Sequence, residues 1–160
     1  MESSTVGNRW AFLVGVNRYI DNNFGRLKFC VNDVKALERI LTEVGYQVVC
    51  LHDELSSDDH RFPTRDNIEA ELKGLCSQIA PNDLLWVHFA CHGTQLDKGN
   101  GKEPVLIARD TRQHLLETRS LPVAEVEKIM KGSGAKRLIL TLDACHTGID
   151  IGRDLTDPEF

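Results

Sequence analysis

Hydrophobic positions along this chain switch between two spacings. WAFLVGV (10–16) is a continuous apolar run of strand length, ended by Asn17. Over residues 32–44 the spacing changes. Val34, Leu37, Leu41 and Val44 fall at i, i+3, i+7 and i+10, one face of a helix, and Gly45 supplies a stop. YQVVCL (46–51) is rich in β-formers, and the polar HDELSSDDHRFP after it predicts a loop. Thr64 stands where a cap belongs for a second helix, with the stripe Ile68, Leu72, Leu75 and Ile79. DLLWVHFA (83–90) is another buried-strand run. The Gly- and charge-rich GTQLDKGNGKEP beyond it predicts an exposed loop, with VLIA (105–108) and HLLE (114–117) as a short hairpin. Pro122 opens a third helix, with Val123, Val126 and Met130 on its buried side and Gly132 and Gly134 breaking it. RLILTL (137–142) is the fourth strong strand.

Continuous apolar strands separated by amphipathic helices predict an α/β fold, with a mainly parallel sheet covered by helices on both faces. The polar GRDLTDPEF soon after the fourth strand leaves that strand as an open edge, so the sequence reads as a fragment or one subunit of a larger fold. The 160 residues make one domain, 1–160, with 1–8 as a flexible polar lead-in. A net charge of −5 argues against nucleic acid and anionic membranes as partners, since both call for clustered Lys and Arg. No apolar run reaches the roughly 18 residues of a membrane span. The N-terminus lacks the basic start and apolar stretch of a secretory signal. The five cysteines are odd in number and form no CxxC pair. The expectation is a cytoplasmic protein with reduced thiols, most of them small core residues.

In open parallel sheets ligands bind beyond the carboxyl ends of the strands. Two strands here run into reactive residues, Ala90-Cys91-His92-Gly93 and Asp143-Ala144-Cys145-His146, and His92 and Cys145 lie 53 residues apart. A thiol needs an imidazole to take its proton before it attacks, and Gly93 would let backbone N–H groups approach an oxyanion. Taken singly, each residue has a plainer reading. Cys145 is a core thiol, His92 a hydrogen-bonded structural residue, Asp33 a first-turn acid and Asp143 a turn residue. Cys30 is a packing residue on that view. Two Cys-His dipeptides also raise a zinc site, but adjacent strand residues point to opposite faces. No Arg follows Cys145 at the spacing of a phosphatase loop. His146 reads as a turn residue.

FACHG and LDACHTG resemble the two catalytic motifs of the caspase-like cysteine peptidases, most closely the metacaspase and orthocaspase branch. LKFCVNDVKALERIL resembles that branch's Cys-x-Asn-Asp stretch, and the likeness extends over nearly the whole chain. It implies a caspase-like sandwich with Cys145 as nucleophile and His92 as base or proton shuttle, in an endopeptidase that cuts proteins or peptides after Arg or Lys. Asp33 and Asp143 match the pocket acids and Cys30 a pocket-lining position, while Ala90 stands where some relatives carry Ser. Asp143 replaces the Gln of the caspase QAC motif, and a carboxylate suits a basic substrate side chain. The resemblance also implies a small subunit outside these residues, toward which the polar segment 149–160 would lead. Arg153 is its candidate autoprocessing site. RSLPVAEVEKIM lacks the paired acids of calcium-dependent relatives, so no metal and no cofactor are expected. The alternative is a caspase-like scaffold or regulatory module without catalysis.

Overall fold

The computed structural model describes residues 5–146. The first strand, β1 (Arg9–Gly15), is buried from its second residue onward, as its unbroken apolar run requires. It pairs in parallel with β2 (Gln47–His52) on one side and β3 (Leu84–Asp97) on the other. The outer side of β3 takes β6 (Arg137–His146), also parallel. Two short strands, β4 (Lys102–Leu106) and β5 (Leu121–Pro122), extend the sheet in antiparallel fashion beyond the end of β1.

Strand alternation divides the interior into two cores. Ala11 and Leu13 of β1, with Cys50 and Ala90, pack under α1 (Cys30–Glu43) through Cys30, Val34 and Leu41. Trp10, Phe12 and Val14, with Leu85, Val87 and Phe89, pack on the other face. There they meet Ile68, Leu72 and Leu75 of α2 (Arg65–Cys76) and Val126, Ile129 and Met130 of α4 (Val123–Gly132). The sheet is therefore covered on both sides, as the apolar runs predict.

The helix signals hold at residue level. Thr64 Oγ1 accepts the Asn67 N–H at 3.2 Å, capping α2. Pro122 precedes the first residue of α4. Gly45, at φ +92°, follows the end of α1. At its other end α1 has no cap of its own, and the Asn17 side chain beyond β1 accepts the Val31 N–H instead. The helix sits close on the strand there. A Cβ on Gly15 would stand 2.6 Å from Val34 Cγ2 and 2.8 Å from the Cys30 carbonyl oxygen.

The expected loop after CHG is instead strand. β3 runs on to Asp97, and Gly93 to Asp97 pair with Leu106 to Lys102. Composition misleads here because Thr94 and Leu96 are buried at every second position. The turn itself is short, with Gly99 and Gly101 at positive φ. The hairpin expected between VLIA and HLLE is absent. Val105 and Leu106 pair with β3 on one side and β5 on the other, and HLLE lies in a 3-10 turn (Gln113–Leu115) followed by the single-turn α3 (Leu116–Arg119). Leu116 is buried alone, without the alternation a strand needs.

Candidate active site

His92 lies where β3 changes neighbours. The Ala90 carbonyl still accepts from Val16 just past β1, and the His92 carbonyl already accepts from Ile107 just past β4, both at about 3 Å. Between the two strands the edge has a gap. The His92 N–H in that gap donates to the Tyr19 hydroxyl at 2.8 Å. The Tyr19 ring stands 5.0 Å from the imidazole, and Phe24 packs 5.7 Å behind Tyr19. His92 is 6% exposed. Its Nε2 is 2.6 Å from the Gly25 carbonyl oxygen. A carbonyl only accepts, so Nε2 carries the ring proton and the neutral imidazole keeps its lone pair on Nδ1.

The loop that delivers these groups runs from Val16 to Leu27. It is closed by the Leu27 N–H on the Asn17 carbonyl and stiffened where Asp21 accepts from Asn23 and Gln113. Tyr19 and Gly25 escape a reading of motifs. One acts through a hydroxyl in a loop and the other through a carbonyl that every residue possesses. The two aromatic residues just beyond β1 are the only signal.

Cys145 is the Cα partner of His92 in the β3–β6 ladder, and Gly93 is the partner of His146 and Leu106. The same offset runs along the whole pair, from Leu84 opposite Arg137. The 53-residue spacing of the motifs is thus the register of two adjacent strands, whose backbones lie about 4.8 Å apart. Ala90 is paired with Asp143 in the same way.

Asp143 and Asp33 are both exposed, one on β6 and one in the first turn of α1. Their charges converge on a third group, the half-buried His88 of β3. Burial holds the His88 imidazole below its ordinary pKa, while Asp143 and then Asp33 act in the opposite direction. Cys30, at the start of α1, is buried beside Gly15. Cys91 faces the opposite core, with Val16 and Phe89, away from His92. Among the described residues, no three His, Cys, Asp or Glu side chains are grouped to hold a metal ion. Arg153 and the segment 149–160 lie outside the described residues.

Comparison with known proteins gives this geometry a context. The model of the caspase domain matches residues 8–159. Metacaspase-1 of Mycosarcoma maydis is 32% identical over 91% of this chain and 37% of its own length. Metacaspase-1 of Eremothecium gossypii and metacaspase-1A of Aspergillus oryzae are also 32% identical over 91% of the chain, covering 33% and 36% of those proteins. The chain thus spans little more than a third of the curated relatives it matches. Protein GSU0716 from Geobacter sulfurreducens shares the fold, with a TM-score of 0.68 at 19% identity over 89% of this chain and 52% of that one.

Proposed function

The chain belongs to the caspase-domain family, with metacaspases among its relatives, and on that premise we propose that it is the catalytic part of a cysteine endopeptidase that cuts after Arg or Lys. The observation that carries the proposal is the pairing of Cys145 with His92, whose Nε2 is tied to Gly25. In this reading Nδ1 of His92 takes the thiol proton, and the Cys145 thiolate attacks the scissile carbonyl. Backbone N–H groups, that of Gly93 among them, hold the oxyanion. Collapse of the tetrahedral intermediate expels the amine, which takes a proton from His92, and leaves a thioester that water hydrolyses. Asp33 and Asp143, with Cys30 beside them, receive the basic side chain of the substrate.

The proposal includes a small subunit that continues the sheet past β6. Two features support it. Among the described residues β6 pairs only with β3, and Ile139 and Leu142 remain 42% and 37% exposed. It further includes turnover without calcium, autoprocessing after Arg153, and action in the cytoplasm. Cys50 and Cys76 are buried free thiols, as a reducing compartment would leave them. Among the described residues no helix is long and apolar enough to cross a membrane.

The direct test offers the full-length protein two fluorogenic peptides, one ending in Arg and one in Asp, with and without EDTA. Hydrolysis of the Arg peptide alone, at equal rates in both buffers, is the expected result. It should vanish in Cys145→Ala. Hydrolysis that survives Cys145→Ala refutes the nucleophile, and a well-folded protein that cuts neither peptide leaves the scaffold reading standing.

A further inference from the structure

His88 has no part in the chemistry just described, yet it lies two residues before Ala90 on β3, whose Cα partner is Asp143. Its own partner on β6 is Thr141. The His88 Nδ1 and the Thr141 hydroxyl are 2.7 Å apart, and the same hydroxyl oxygen accepts the Trp86 indole N–H at 2.8 Å. Indole can only donate. Thr141 spends one lone pair on Trp86, and its proton or its second lone pair engages His88 Nδ1. The ring is thus held in one orientation by a three-residue chain beneath the pocket.

The surroundings of His88 are one-sided in charge. The charges of Asp143 on β6 and Asp33 on α1 act on it. From β1 its partner is Leu13, which is apolar and fully buried. Two carboxylates and no cation bear on it among the described residues. These are the acids assigned above to the basic side chain of the substrate.

We propose that His88 is a positioning and specificity residue in the floor of that pocket: neutral, it leaves both carboxylates at full charge, and protonated, it competes with the substrate's guanidinium or ammonium for them. The proposal rests on the reading of Asp33 and Asp143 as the basic-residue pocket. By linkage, a bound Arg or Lys and a proton on His88 oppose each other equally. Acidification then weakens substrate binding. Because burial holds this imidazole below its ordinary pKa, the preference for basic residues depends on pH at the acid end of the range in which imidazoles titrate.

The test measures KM for an Arg-ending peptide from pH 5.5 to 8 in the full-length protein and in His88→Gln, whose amide retains a partner for Thr141. The ratio of KM at pH 5.5 to KM at pH 8 should be about three- to ten-fold larger in the wild type, the order of one charge acting across a solvated pocket. Equal ratios in the two proteins overturn the role of His88 while leaving the pocket intact. A second measurement does not need activity. The His88 ring is titrated by NMR in the wild type and in Asp143→Asn and Asp33→Asn. Loss of either acid should lower its pKa further, and a titration unmoved by both replacements also overturns the proposal. If the Arg peptide is not cut at all, the pocket reading fails and this one with it.

Discussion

At the scale of single residues, Cys50, Cys76 and Cys91 have the surroundings of unreactive core thiols. Burial pushes the Cys50 thiol up to about 12 and the Cys76 thiol up to about 11. At pH 7.5 neither holds a useful fraction of thiolate, the form that reacts. Cys91 is 1% exposed in the apolar core. Brief alkylation with iodoacetamide followed by peptide mass mapping should therefore label Cys145 well ahead of Cys50 and Cys76. Comparable slow labelling of all of them would count against an activated thiol. The other residue-scale prediction concerns Tyr19. Its hydroxyl fills the gap in the β3 edge left between β1 and β4, and Phe at this position leaves the buried His92 N–H without its acceptor. Tyr19→Phe should cost about 1–3 kcal/mol in urea unfolding, the price of an unmet buried donor, and should lower kcat as His92 loosens. A variant as stable and as active as the wild type would mean that another group takes the N–H.

Elements were legible where periodicity alone determines them and obscure where pairing does. The stripe of α1 and the apolar runs of β1 and β6 are local properties. The continuation of β3 past His92 is not local, because residues 93–97 are strand only through pairing with β4. His92 is therefore not at a strand's end, as its motif suggests, but inside a strand at the place where its neighbours change. The motif reading named His92 and Cys145, which the β3–β6 register sets side by side, but not Gly25, Tyr19 and His88, whose contacts run across elements. The placement of α1 is likewise a matter of contact. Gly15 lets the start of this helix, with Cys30 and Asp33, come down onto the carboxyl end of β1. Since one obstructing atom is the Cys30 carbonyl oxygen, a side chain at position 15 cannot be absorbed by a rotamer change. Gly15→Ala should destabilise the fold by about 1–3 kcal/mol through overpacking. It should also raise KM for Arg peptides more than it lowers kcat, because Asp33 moves with the helix while His92 does not. A loss confined to kcat would show that the helix start is not what sets the pocket.

At the scale of the whole molecule, the sheet carries the candidate site at one end and is fastened at the other. Opposite the candidate site, the buried Asp83 carboxylate accepts the N–H groups of Asn8 at 2.8 Å and Ala80 at 2.9 Å and the Trp10 indole N–H at 3.0 Å. One side chain thus joins the start of β1 to the turn that leads into β3. The start of β6 is held to the same turn, where Lys136 N–H donates to the Pro81 carbonyl and Arg137 to that of Asn82. Burial works to raise the Asp83 pKa, but the hydrogen bonds from Ala80, Trp10 and Asn8 outweigh it, and the net effect is a value below the ordinary carboxylate range. The sign of the linkage follows. A carboxyl whose native pKa is depressed adds stability above its unfolded value of about 3.9, and that contribution is lost as pH falls through the lower native value. Asp83→Asn should therefore be less stable than the wild type by about 1–3 kcal/mol at pH 7, since its amide cannot accept all three donors. The gap between the two proteins should narrow steadily as urea unfolding is repeated from pH 5 downward. Other acids titrate in both proteins, so the difference between the curves isolates this one. A gap that stays constant with pH would mean that Asp83 holds the end of the sheet by shape alone and not as an anion.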